Sequence, residues 1–196
     1  KAVLLTNHGG PEMLRYGEAA DPVAGPGEVV VDIHAASVNG ADYKVRRGKG
    51  RYELNKFPHI LGRDFSGVVS ALGAGVSDFK VGDAVFGVTD VGLEGAYAEK
   101  IAVKAAILAN KPASLSHTQA AALGLISLTA LTAIEDTAHL QAGQTILIQG
   151  GAGGVCRGSR KQCAQRDEKL QSDLHLEASF RISAVRRSYS PLARRT

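Results

Sequence analysis

Thr145-Ile146-Leu147-Ile148-Gln149 runs directly into Gly150-Gly151-Ala152-Gly153-Gly154-Val155, and this junction decides how the second half of the chain folds. The apolar centre of the first segment is continuous, as in a strand covered on both faces. Glycines immediately after such a strand let the chain turn tightly and bring bare backbone N–H groups close to a diphosphate. Gly151 and Gly153 fit the first two positions of the pattern G-x-G-x-x-G, while Cys156 stands where the third glycine belongs. The plainer alternative is a strand-to-helix turn with no ligand.

Upstream of this junction the pattern is helical. Ser116 with Gln119 three residues on forms a capping-box signal. Ala120 to Leu123 extend that helix to a stop at Gly124, and residues 125–138 have the apolar spacing of a second, largely buried helix. Before Pro112 the chain changes character. Residues 1–5, 28–38, 65–72, 84–88 and 96–103 read as short strands, punctuated by turns such as Pro26-Gly27 and Val81-Gly82-Asp83. Many short strands at this spacing predict a barrel or sandwich.

Downstream the pattern breaks. A dinucleotide site needs a further helix, a second buried strand and a ribose-binding residue about 20 positions on. Residues 156–196 supply no such strand and carry ten basic residues against four acidic ones. Residues 1–155 carry 13 basic and 15 acidic, so the overall charge of +4 comes from the tail. Arg186-Arg187 and Arg194-Arg195 suggest phosphate contacts, but no nucleic-acid motif or interleaved aromatic accompanies them, and no nucleic-acid partner is expected. The tail reads as disordered or as a non-native extension, such as a shifted reading frame produces.

Composition bounds the rest. With 196 residues, 44% hydrophobic and 21% charged, the chain can build a sizeable core. No run approaches the roughly 18 apolar residues of a membrane span, so no membrane partner is expected. The opening KAVLLTNHGG lacks the form of a signal peptide, and two cysteines give no disulfide framework. A reducing cytoplasm is the expected location.

The ordered motifs of residues 1–155 resemble the zinc-independent quinone oxidoreductases of the medium-chain dehydrogenase/reductase superfamily. They include KAVLL, GGPE (9–12), GPGEVVV (25–31), AASVNGAD (35–42), LGRDFSGVV (61–69), VGDAVFG (81–87), GAYAE (95–99) and AAALGLISLTA (120–130). The resemblance implies an α+β to α/β chain. Its parts are a GroES-like β-barrel catalytic domain at 1–112, the truncated beginning of a Rossmann cofactor domain at 113–155, and a non-family tail at 156–196.

Alcohol dehydrogenases of this superfamily hold a catalytic zinc with a cysteine and the histidine of G-H-E. Here the stretch is Gly62-Arg63-Asp64, no cysteine precedes Cys156, and His8, His34, His59, His117 and His139 share no ligand spacing, so no metal site is expected. Without zinc to polarise a hydroxyl, hydride transfer is easiest onto an acceptor that delocalises charge, a quinone or conjugated enone. The implied cofactor is NADPH, with NADH not excluded.

The resemblance places Asn39, Asp42 and Thr129 along the nicotinamide and substrate cleft. Tyr43 and Arg63 are implied as donors to a substrate oxygen, and Gly150, Gly151, Ala152, Gly153, Gly154 and Val155 as the phosphate loop. The plainer roles are a turn for Asn39 and Asp42, a helix-backbone bond for Thr129, and an ion pair between Arg63 and Asp64. Two function classes stay open: an NADPH:quinone oxidoreductase-like enzyme, or an inactive truncated fragment whose barrel serves as a binding or structural module. A truncated sheet exposes apolar edges, which makes a homodimer possible.

Overall fold

The computed structural model describes residues 1–141, 144, 146 and 153–155. Contacts divide the chain into two compact units, whose described parts are Lys1–Ala122 and the residues from Leu123 onward. In the first unit every strand pairing is antiparallel, as the short, turn-limited strands predict.

β1 (Ala2–Leu5) lies between β2 (Leu14–Gly17) and β4 (His59–Ile60). A second sheet runs in the order β7-β3-β5-β6-β8, built from β3 (Glu28–Ala36), β5 (Asp64–Leu72), β6 (Ala84–Val88), β7 (Lys100–Lys104) and β8 (Leu108–Asn110). Its core is aliphatic and β-branched around one ring: Val29, Val31, Phe65, Val69, Val85, Ile101, Val103 and Leu108 are all buried. Gly67 sits where β5 meets β3, and a Cβ there would run into the Asp32 carbonyl. The glycine therefore permits the close strand approach.

Three boundaries differ from the sequence expectation. The strand expected over 96–103 begins only at Lys100, because Ala96 and Tyr97 donate backbone bonds to Gly62 (3.1 Å) and Leu61 (2.9 Å). The strand expected to reach Val38 stops at Ala36, where the chain turns into helix α1 (Gly40–Arg47). Most consequential, Gly124 stops nothing: α2 is one helix, His117–Leu131, continued by a π-helical turn at Thr132–Thr137. An interior glycine costs a helix about 1 kcal/mol, which neighbouring alanines and leucines absorb. The expected burial of 125–138 is also not realised, since only Ala130 and Ile134 are buried in that stretch. By length and composition alone, His117–Thr137 also meets the criterion for crossing a membrane, as core helices of other proteins do.

Candidate active site

The chain leaving β3 and the start of β5 carry the most developed polar cluster. Asn39 sits at the N-cap of α1 in extended conformation, and its N–H donates to Asp42 Oδ2 at 2.7 Å. Asn39 Nδ2 donates to Asp64 Oδ2 at 2.8 Å, and Ser37 Oγ donates to the same oxygen at 2.6 Å. Tyr97 Oη closes the group by donating to Asp42 Oδ2 at 2.6 Å. Asp42 is 4% and Asp64 1% exposed, so each carboxylate depends on these donors to offset its lost hydration. The N-terminus of α1 adds favourable backbone dipoles beside Asp42. Burial, and then the bond to Asp42, pushes the Tyr97 phenol far above its ordinary value, so it stays protonated and acts as donor.

Gly62-Arg63-Asp64 therefore divides its tasks. Arg63 Nε and Nη2 both donate to the Thr89 carbonyl, at 2.8 and 2.6 Å, tying the start of β5 to the loop after β6. Asp64 faces Ser37 and Asn39. Thr89 is buried and its Oγ1 has no hydrogen-bond partner. The same loop is held further on by His59 Nε2 and Glu94 Oε2 at 3.2 Å. Burial pulls the Glu94 carboxyl upward, but His59 and the N–H groups of Gly92 and Glu94 outweigh it and leave it below the usual carboxylate range.

Tyr43 lies on the outer side of α1, 48% exposed, with the Arg47 guanidinium 5.7 Å from its ring centroid. In the second unit, Thr129 is exposed and its Oγ1 donates to the Leu125 carbonyl at 2.8 Å, the local backbone bond of the plainer reading. Gly150, Gly151 and Ala152, with most of the 145–149 strand, lie outside the described residues. Gly153, Gly154 and Val155 are described, the last two helical. A Cβ on Gly154 would meet Ile126 Cγ2 at 3.3 Å. Gly154 thus leaves room for the side chain of Ile126 on α2, a helix contact distinct from the helix–strand packing that the fingerprint assigns to its third glycine.

The structure brings Asn39 and Asp42 into one network and keeps Tyr43 outside it. Ser37 and Tyr97 also belong to it, without a sequence signal, and so does Asp64, which the sequence reading offers only as an ion-pair partner of Arg63. The only local signal was an Asn followed three residues later by an Asp, a variant of the capping box. Among the described residues no three His, Cys, Asp or Glu gather as metal ligands do.

Residues 25–113 match the alcohol dehydrogenase GroES-like domain, which defines the class of the first unit. Beyond that domain the chain is similar to quinone oxidoreductases and NAD(P)H oxidoreductases, proteins of the medium-chain dehydrogenase/reductase superfamily that the motifs resemble. It is 37% identical to the human protein "NAD(P)H oxidoreductase RTN4IP1, mitochondrial", the match covering 79% of this chain and 44% of that one. An alcohol dehydrogenase superfamily protein from Novosphingobium aromaticivorans is 42% identical with a TM-score of 0.78, covering 84% of this chain and 50% of the other. Escherichia coli quinone oxidoreductase, solved in complex with NADPH, is 30% identical with a TM-score of 0.76, covering 84% and 49%. The chain spans about half the length of the curated oxidoreductases it matches.

Proposed function

We propose that this chain serves zinc-independent hydride transfer from NADPH, with NADH as the alternative donor, to a quinone or conjugated enone. The observation that carries the reading is the network that fixes Asn39 through Asp64, Ser37 and Asp42 at the head of α1. Such an amide, immobilised before any ligand arrives, orients a nicotinamide or acceptor at little entropic cost. NADPH supplies the hydride when bound. In this reading Asn39 and Thr129 hold the nicotinamide end, and the backbone of Gly153, Gly154 and Val155, continued from Gly150, Gly151 and Ala152, takes the diphosphate. Absence of a side chain at Gly153 and Gly154 suits that approach.

The remaining residues act on charge. Tyr97 keeps its proton and holds Asp42 in place. By the resemblance, Arg63 takes the position of the G-H-E histidine, and its guanidinium, held on the Thr89 carbonyl, is the cation that offsets negative charge arising on a substrate oxygen. Tyr43, exposed and carrying a free-standing phenol, is a second donor to that oxygen. A small-molecule acceptor, a cytoplasmic location and a homodimer complete the proposal.

Fluorescence titration with NADPH, followed by steady-state assays with quinones, enones and alcohols, tests it. A micromolar Kd and quinone turnover support the reading. Alcohol turnover without quinone turnover overturns it. No binding by a folded chain leaves the barrel as a binding or structural module.

A further inference from the structure

His117, the first residue of α2, and His34, on β3, bring their rings together, with centroids 4.5 Å apart and planes tilted by 43°. Two separate features of the sheet put them there. β3 pairs with β5 as Ile33 with Gly67 and Ala35 with Ser66, so His34 is the extra residue of a bulge, without a partner across that ladder. Such a bulge re-aims one side chain out of the regular alternation. Beside it, Ser66 Oγ lies 2.8 Å from His117 Nδ1. The residue opposite the bulge therefore also holds the second ring.

The bonding fixes which nitrogen of His117 is available. Ser66 is fully buried and gives its single hydroxyl proton to the Val85 carbonyl at 2.8 Å. Only lone pairs then remain on Ser66 Oγ, so His117 Nδ1 carries the hydrogen and Nε2 keeps a bare lone pair. Imidazoles that bind metals are oriented in this way, one nitrogen donating to a fixed oxygen and the other left for the ion. Burial first, then His34 and Lys111, hold this ring below its ordinary 6.5, so at pH 7.5 it is unprotonated and able to coordinate. His34 is exposed, and among the described residues no hydrogen bond engages its ring. Two imidazoles sharing one ion, at about 2.0 to 2.1 Å per nitrogen, bring their ring centres to roughly 4.5 to 5 Å of each other. The observed separation meets that requirement.

We propose that His34 and His117 form a two-imidazole site for a divalent transition-metal ion, which clips the first turn of α2 to β3. The class of ion follows from the donors. Neutral ring nitrogens suit zinc, nickel and copper, whereas magnesium and calcium ask for oxygen ligands. Lys111, whose Nζ donates to the Pro112 and Leu115 carbonyls, and the N-terminus of α2 add positive charge nearby. Affinity therefore comes from the nitrogen donors and not from attraction of charge, which puts copper ahead of nickel and zinc. Asp32, the carboxylate two residues before His34, is engaged by Lys100 at 3.0 Å. With two protein ligands, water fills the remaining positions and the ion exchanges readily. The site is independent of the hydride-transfer reading.

The test uses the whole 196-residue chain at pH 7.5, with zinc, copper and magnesium salts as probes. Cys156 and Cys163 can also take zinc, so the readout is the individual histidine ring resonances by NMR. Zinc is expected to shift the rings of His34 and His117 together, at one common affinity, and magnesium to move neither. Copper should broaden the same two rings at a lower concentration than zinc needs. His34→Gln, a change at an exposed position that leaves folding intact, is expected to weaken zinc binding at His117 about tenfold or more, and His117→Gln to do the same at His34. Zinc should also slow amide exchange of Ala120, whose N–H donates to the Ser116 carbonyl, in the unsubstituted chain alone. Rings that respond at separate affinities or not at all, or a His117 that binds as tightly without His34, overturn the site. Unchanged Ala120 exchange overturns the clip.

Discussion

Polar side chains behave differently in the two units. In the first, they reach across the fold: Asn39 to Asp64, Tyr97 to Asp42, His117 to Ser66. In the described part of the second, Thr129 turns back on Leu125 and Gln141 on His139. Long-range bonds fix a group only when the whole fold is assembled, whereas a bond to the preceding helical turn exists wherever the helix does. Preorganised chemistry is therefore expected from the first kind of residue, and tolerance to substitution from the second.

The comparison breaks first if the barrel core does not dominate. Phe65→Ala removes the fully buried ring at the centre of the larger sheet and is expected to cost about 3 to 5 kcal/mol by urea unfolding. Asp64→Ala leaves the Ser37 hydroxyl and the Asn39 amide without their acceptor, an expected loss of about 1 to 3 kcal/mol. If Asp64→Ala unfolds as the wild type does, the long-range network contributes nothing distinctive.

Glu94 sharpens the comparison by pH. Its folded carboxyl lies below the ordinary 4.5, so its contribution is present above that value and is lost as pH falls through the depressed one. Glu94→Gln should flatten the acid limb of a stability-against-pH curve, and an unchanged limb refutes the assignment. The smallest effect is expected for Thr129→Val, within about 0.5 kcal/mol in thermal unfolding, because the side chain is exposed and bonded only to its own helix. In the proposed function the same variant weakens NADPH binding, which separates the two roles of Thr129.

Legibility in the sequence followed the same division. β6 was readable because Val81-Gly82-Asp83 marks its start and its residues favour strands, and the bounds agree at Ala84–Val88. The Ser116–Gln119 box was readable because both partners lie within one turn. α1 was not, since Gly40 opens it and its composition is polar, leaving only the Asn39–Asp42 spacing as a clue. Nor was the end of α2, where glycine propensity argued for a stop that the neighbouring residues override. Tyr97 joins Asp42 from 55 positions away, and His117 joins Ser66 from 51, separations at which no periodicity informs. The resemblance supplied Asn39 and Asp42; their partners needed the fold.

Gly62 has φ +89, and any Cβ there would collide with the ring of Tyr97. The residue contributes no side chain to the cluster, yet it leaves the space in which the Tyr97 ring rests. An alanine at this position would be felt as a displaced hydroxyl and a loosened carboxylate on α1, an injury to chemistry delivered entirely through shape.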